Sequence, residues 1–243
     1  MTSNSIDTRG TTRAIATAMQ GLERRFEVVA DNLANLETAG HKRLVAYSQH
    51  SSDESGGAKG PSRQEALVAH DFTQGDLVQS DDFGDLALKG EGFFAVEVDE
   101  QIYFVRSVAL SRDPEGTVLD SRGASLLGEA GPLRTNDPND ALRIERDGSV
   151  LSNNELIGRL RVVTFVDPTK LVAQGGGRFL APEGTELVAA TNTDVLQGFR
   201  ERSNTDPVRE LVEMIVVQRQ YEAAQKALTT ENELRQRLND LSR

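Results

Sequence analysis

Near the start of the chain, apolar residues fall at Ile15, Met19, Leu22, Phe26, Val29, Leu33 and Leu36, alternately four and three apart. That spacing gathers them on one side of an α-helix as a heptad seam about three repeats long. Glu23, Arg24, Arg25, Glu27 and Asp31 occupy the other faces. The pattern predicts a helix from about Thr11 to Leu36, ended by Glu37, Thr38, Ala39 and Gly40. Gly40 would be its left-handed C-cap, with Lys42 and Arg43 favourably placed near the helix C-terminus.

The same period returns at the other end. Leu211, Met214, Val217, Tyr221, Ala224 and Leu228 step by three or four, and Leu234, Leu238 and Leu241 extend the stripe. Asp206 is a good N-cap, and Pro207 fits the first helical position, where a missing N–H costs nothing. A helix over 207–241 would reach about 52 Å, and the N-terminal one about 39 Å. Amphipathic helices of this length want a coiled-coil partner, and each end of the chain offers one to the other. Val212, Ile215 and Val216 lie beside the main stripe, so the paired ends are also expected to pack against neighbouring copies.

Between the helices the period changes. SQHSSDESGGAKGPS over 48–62 is rich in Ser and Gly and reads as a loop or linker. Beyond it, FTQGDLVQ (72–79), DLALKGEGFFAVEVD (85–99) and IYFVRSVALSRD (102–113) alternate β-branched and aromatic residues between Gly, Asp and Pro turns. That is the signature of short antiparallel strands. LRVVTFV over 160–166 is the most apolar of these and is expected to be central. The fold class is therefore α+β: long N- and C-terminal helices pairing as a coiled coil, with a mainly antiparallel β domain inserted. The expected segments are 1–43 (helical), 44–64 (linker), 65–202 (β-rich) and 203–243 (helical).

Composition narrows the options. A chain of 243 residues can bury a substantial core, and without Trp that core must rest on Leu, Val, Ala and nine Phe. Cysteine is absent, which excludes disulfide frameworks, thiolate metal sites and thiol chemistry. The net charge of -11 argues against nucleic acid or an anionic membrane as partner. The charge resides in the middle: residues 1–43 carry +1, 203–243 carry -1 and 44–202 carry -11. Nearly neutral ends favour close packing of like helices, and a charged middle favours a solvated surface. No apolar run is long enough to span a bilayer, and the first residues lack the apolar core of a cleaved signal peptide.

Three strings carry a resemblance: DNLANLETAGHKR (31–43), FTQGDLVQSDDFGDLALKGEGFFAVEV (72–98) and SNTDPVRELVEMIVVQRQYEAAQKAL (203–228). In this order they resemble the three signatures of the bacterial flagellar rod and hook axial proteins. Within that family, the short stretch over 44–70 and the total length resemble the proximal-rod members most, with the distal-rod members next. The resemblance implies a structural subunit that is exported through the flagellar type III apparatus without a cleaved signal peptide. Such a subunit assembles helically with other rod proteins and its own copies in the basal-body rod crossing the periplasm. Asn32, Leu33, Asn35, Thr38, Gly40 and Lys42 match the N-terminal motif, and Ser203, Asn204, Pro207, Met214, Gln218 and Tyr221 match the C-terminal one. Asp31 stands where the family usually has Asn, and His41 where an aromatic residue usually follows the Gly. The expected interface comprises Ile15, Met19, Leu22, Phe26, Val29, Asn32, Leu33, Asn35, Leu36, Gly40, Pro207, Leu211, Met214, Val217, Gln218, Tyr221 and Leu228. Asn32 and Asn35, three apart, could both hydrogen-bond neighbouring backbone from one face of the last helical turn.

No reaction chemistry is expected, and neither cofactor nor metal. GEGFFA (90–95) satisfies the spacing of a dinucleotide fingerprint, but a strand follows where that fingerprint must open a helix. Its glycines are expected to make a tight turn. His41, His50 and His70 are too far apart in sequence for a local metal site, and Asp81 and Asp82 read as a solvated acidic turn. The alternatives left open are a distal-rod or hook-type paralogue and, from another class, a β-rich binding module or hydrolase on a helical stalk.

Overall fold

A computed structural model describes residues 8–51, 63–137 and 139–241. Two helices flank a β-rich middle: α1 (Thr8–Ala34) and α2 (Pro207–Leu241). The chain divides into two compact units. The helical unit takes the chain through Ala34, Leu44–Ala69, and Asp206 onward; the β unit takes Asn35–Arg43 and His70–Thr205.

In the helical unit, polar contacts fix an antiparallel pairing of α1 with α2. Thr12 Oγ1 donates to Glu231 at 2.7 Å, Tyr221 donates to Glu23 at 3.0 Å, and Asn32 Nδ2 donates to Glu210 at 3.2 Å. Early residues of one helix thus meet late residues of the other. The strands Leu44–Ser51 and Arg63–His70 form a two-stranded sheet, so the stretch expected as linker over 44–64 carries strand at both ends. The rest of that stretch lies outside the described residues.

The β unit is built on a twelve-stranded sheet whose pairings are all antiparallel. Its pivot is the strand Phe93–Val98, which pairs on one edge with Gln101–Val105 and on the other with Val162–Phe165 and Ser125–Gly128. Successive side chains of a strand point to opposite faces. Here both faces are covered: Phe94 and Val96 enter one core with Leu86, Leu88, Val105, Val118, Leu126 and Val195, and Phe93 and Ala95 enter a second with Phe104, Leu127, Val163, Phe165 and Phe179. A strand buried on both sides needs a continuous apolar run, which explains FFAV. The second core is aromatic, with the Phe104 and Phe165 rings edge to face at 4.9 Å between centroids.

Two expectations change at this level. Strand structure in 72–79 is confined to Leu77–Gln79. Val162–Phe165 is not central, because its outer neighbour Leu187–Ala189 is the edge of the sheet. The glycine-rich stretch 173–186 contributes the strand Arg178–Leu180. Gly90 and Gly92 hold φ of 118° and 138° between the strands Asp85–Lys89 and Phe93–Val98, the tight turn expected of them.

Candidate functional site

The helix α2 begins as its sequence dictates. Asp206 Oδ1 accepts hydrogen bonds from the amides of Val208 at 2.9 Å and Arg209 at 3.2 Å, which satisfies two of the donors a helix start leaves open. From there, the positions withdrawn from solvent are Glu210, Glu213, Met214, Val217, Tyr221, Ala224, Leu228, Glu231 and Arg235. Apart from the neighbours Glu213 and Met214 they step by three or four, which gathers them on one face of α2, and Val217 is fully buried among them. On α1, Ile15, Met19, Leu22 and Leu33 are half-buried and Val28 and Val29 are buried. Charged side chains line the seam: Arg25 pairs with Glu213, and Arg235 reaches Thr12 at 3.2 Å. Tyr221 keeps its proton and donates it as a hydrogen bond to Glu23, and that bond to a carboxylate pushes its hydroxyl above the usual tyrosine range.

Two expected seam residues lie elsewhere. Phe26 is 43 % exposed and Leu211 is 52 % exposed. Arg25 takes the position at the seam edge that Phe26 was expected to fill, and Glu210, one residue before Leu211, takes the buried position. Leu211 instead joins Val208, Val212 and Ile215, all more than half exposed. At 3.6 residues per turn these four lie within about 60° of the direction opposite Val217. The start of α2 therefore has two apolar faces, one against α1 and one bare. Pro207 and Gln218 are exposed, and among the described residues Gln218 reaches only Glu222 on its own helix, at 3.5 Å. Leu238 and Leu241 fall among the side chains not described.

The Asn32 amide closes this end of the pair. It donates to Leu44 O at 2.9 Å and accepts from Leu44 N at 2.7 Å, and it also donates to the buried Glu210. Asn35 does not share that face, because α1 ends at Ala34. Its side-chain oxygen accepts from Thr38 Oγ1 at 3.1 Å, and its carbonyl accepts from Thr38 N at 3.2 Å, in a turn of the β unit. Leu36 is half-buried in the same turn.

Gly40 and Lys42 also serve the β unit rather than capping α1. Gly40 holds φ of 69°, its amide donates to Glu201 O at 2.8 Å, and an added Cβ would sit 3.0 Å from the Arg106 Cβ. The Lys42 ammonium is buried, donating to Glu201 Oε1 at 2.6 Å and Thr73 O at 2.7 Å. Arg106, also buried, donates from Nε to the other Glu201 oxygen at 2.9 Å and from its terminal nitrogens to the carbonyls of Gly90 and Gly92. Burial pulls the Lys42 ammonium below the usual lysine range, with Glu201 acting in the opposite direction. Beside this cluster, Asn204 accepts from Arg43 N at 2.7 Å and donates to Asp71 O at 2.8 Å and Thr73 O at 3.0 Å.

Glu201, Arg106 and Glu210 were not among the expected site residues. Glu210 was open to inference, since it stands seven residues before Val217 on the stripe. The Lys42–Glu201 pair joins residues 159 apart and leaves no local signal. His70 packs edge to face on Phe179, His41 is buried, and the His50 side chain is outside the described residues. Among the described residues no cluster of His, Asp and Glu is arranged to hold a metal ion, and no helix is long and apolar enough to cross a membrane.

Comparison with known proteins gives a consistent picture. The model for the flagellar basal body rod FlgEFG protein C-terminal region matches residues 196–241. Along most of its length the chain is similar to the flagellar basal-body rod protein FlgF of Caulobacter vibrioides, 29% identical over 88% of this chain and 89% of the relative. It is likewise similar to FlgF of Mesorhizobium japonicum, 27% identical over 84% and 86%. The flagellar basal-body rod protein FlgG of Buchnera aphidicola subsp. Acyrthosiphon pisum is 29% identical over 93% and 96%.

Proposed function

The chain belongs to the flagellar basal-body rod protein family, and from that premise we propose a structural subunit of the proximal rod that assembles helically through its paired terminal helices. The bare face of α2 carries this reading. An intramolecular pair that satisfied itself would turn polar residues outward, yet Val208, Leu211, Val212 and Ile215 stand in water opposite the seam. A neighbouring subunit's helix that covers them removes that apolar area from solvent, at roughly 25 cal/mol per Å².

The proximal placement rests on the short 44–70 stretch and the total length. The finer parts of the proposal are a coiled-coil geometry for the α1–α2 pair, delivery through the flagellar type III apparatus, and contacts with the other rod components. No catalytic step belongs to this function.

The test is the double variant Leu211→Ser/Ile215→Ser. Both positions are exposed, so thermal unfolding of the purified chain should move by no more than about 0.5 kcal/mol. The variant should nevertheless be missing from basal bodies isolated from cells that make it, and those cells should fail to swim. Normal incorporation and motility would remove the support for the reading.

A further inference from the structure

The apolar stripes of α1 and α2 repeat in steps of three and four. Sliding one helix past the other by seven residues, about 10 Å, again sets apolar positions against apolar ones. Apolar packing alone therefore leaves the register open. Polar contacts cross between the helices at three levels: Thr12 Oγ1 donates to Glu231 at 2.7 Å, Tyr221 to Glu23 at 3.0 Å and Asn32 Nδ2 to Glu210 at 3.2 Å. We propose that these three pairs are the register lock of the helix pair, positioning residues that contribute a unique alignment rather than stability. The proposal rests on the terminal helices acting as a pair in the assembled subunit, and it names what fixes that pair.

Either seven-residue slide breaks the lock. In one direction Glu231 comes level with Met19, and Glu210 runs past Ala34, where α1 ends. In the other Glu23 comes level with Glu213, and Asn32 runs past Pro207, where α2 begins. The first arrangement desolvates a carboxylate beside an apolar side chain and the second sets two carboxylates together, and both are unfavourable. Arg25 behaves differently. It pairs with Glu213 and donates to Gln220 at 3.3 Å, and because those residues stand seven apart, it meets one of them again after either slide. Arg25 adds to the attraction between the helices without choosing their alignment.

Register decides which stretch of α1 lies beside the bare start of α2. Copies in different registers would present different surfaces, and a helical series of identical contacts needs every copy alike. Polar residues within an otherwise apolar seam are a general means to that end, selecting one alignment at some cost in stability.

The chain has no cysteine, so nitroxides at Ala14→Cys and Arg219→Cys, both exposed positions, report the register of the purified chain once it is diluted with unlabelled chain. A single distance is expected. Glu210→Leu/Tyr221→Phe/Glu231→Leu places apolar or aromatic residues at all three levels; it should keep its helical circular dichroism and add a second distance, displaced by several ångström. Restoring Glu210 should shrink that second population, and Arg25→Met, outside the lock, should show one distance. Several distances in the unaltered chain, one distance in the triple variant, no response to Glu210, or a second distance in Arg25→Met would each overturn the lock. Loss of helix in the triple variant would also overturn it, because the pairs would then supply stability instead of alignment. These distances are read before assembly, so the lock can fail while the bare face of α2 still carries incorporation into basal bodies, and can hold if that face does not.

Discussion

The helical unit and the β unit bury their apolar residues to very different degrees. Among the described residues, Val28, Val29 and Val217 are the only buried apolar side chains of the helical unit; every other buried apolar side chain belongs to the β unit, most of them in its two cores. Large exposed apolar residues crowd the start of α2. One unit closes two apolar cores of its own. The other has an inner seam and an outer face, and only the seam is occupied. The difference separates what holds the monomer together from what remains to be covered by assembly, and it explains why stability and assembly should respond to different substitutions.

The largest expected effect is in the β unit. Glu201→Gln leaves the Lys42 and Arg106 cations buried without their shared anion, and breaking one side of a buried ion cluster costs about 3–5 kcal/mol. Urea unfolding monitored by amide resonances should show the β unit melting early while α2 keeps its protection. Equal loss in both units would show that they unfold as one body and would dissolve the contrast.

A smaller effect is expected in the helical unit. Asn32→Ala removes both backbone bonds to Leu44 and the amide beside the buried Glu210, leaving buried polar groups without partners at a cost of about 1–3 kcal/mol. Hydrogen exchange should quicken along α1 and the first turns of α2 and stay unchanged in strand Phe93–Val98. Loss of protection in that strand would mean that Asn32 supports the β unit as well.

The smallest effect is with pH, and it should also divide by unit. The side chain of Thr117 bonds Asp113, the Ser149 amide bonds Asp147 and the side chain of Thr169 bonds Asp167, and each bond holds its carboxyl below the usual range. At Asp71 burial works against the charge, but the bonds from Thr73 outweigh it. All four lie in the β unit. A carboxyl that ionises more readily when folded contributes stability above its unfolded value, and that contribution is lost as pH falls through the folded one. Tyr221, in the helical unit, is raised instead, so its contribution is present below the usual tyrosine range and lost as pH climbs through the folded value. Lys42 is lowered, so the unfolded chain binds its proton more tightly and the β unit gains stability as pH rises into the lysine range. Acid should therefore loosen the β unit first and alkali the helical unit first in a pH series of exchange rates; the opposite order would count against the assignment.

Much of this could be inferred from local pattern. The helices at both ends, the Asp206 cap and the doubly buried FFAV run each follow from the period of a short stretch of sequence. The direction of the helical seam did not. The first turns of α2 are apolar on two opposite faces, so spacing alone cannot say whether Leu211 faces α1 or water; the charged residues decide, with Glu210 and Arg25 withdrawn and Leu211 and Phe26 turned out. The end of α1 was misplaced for a related reason. Gly40 and Lys42 look like a helix terminus in sequence, but their conformation and charge answer to Arg106 and Glu201, which only the tertiary fold brings near.

The strand Phe93–Val98 feeds alternate side chains into two different cores. Sliding it by one residue, about 3.3 Å, would present every side chain to the wrong face. A strand with one wet face can slip and lose contacts on one side only; this one would have to disrupt both cores at once. In mechanical terms the β unit resists shear along its central strand in discrete steps rather than by gradual creep.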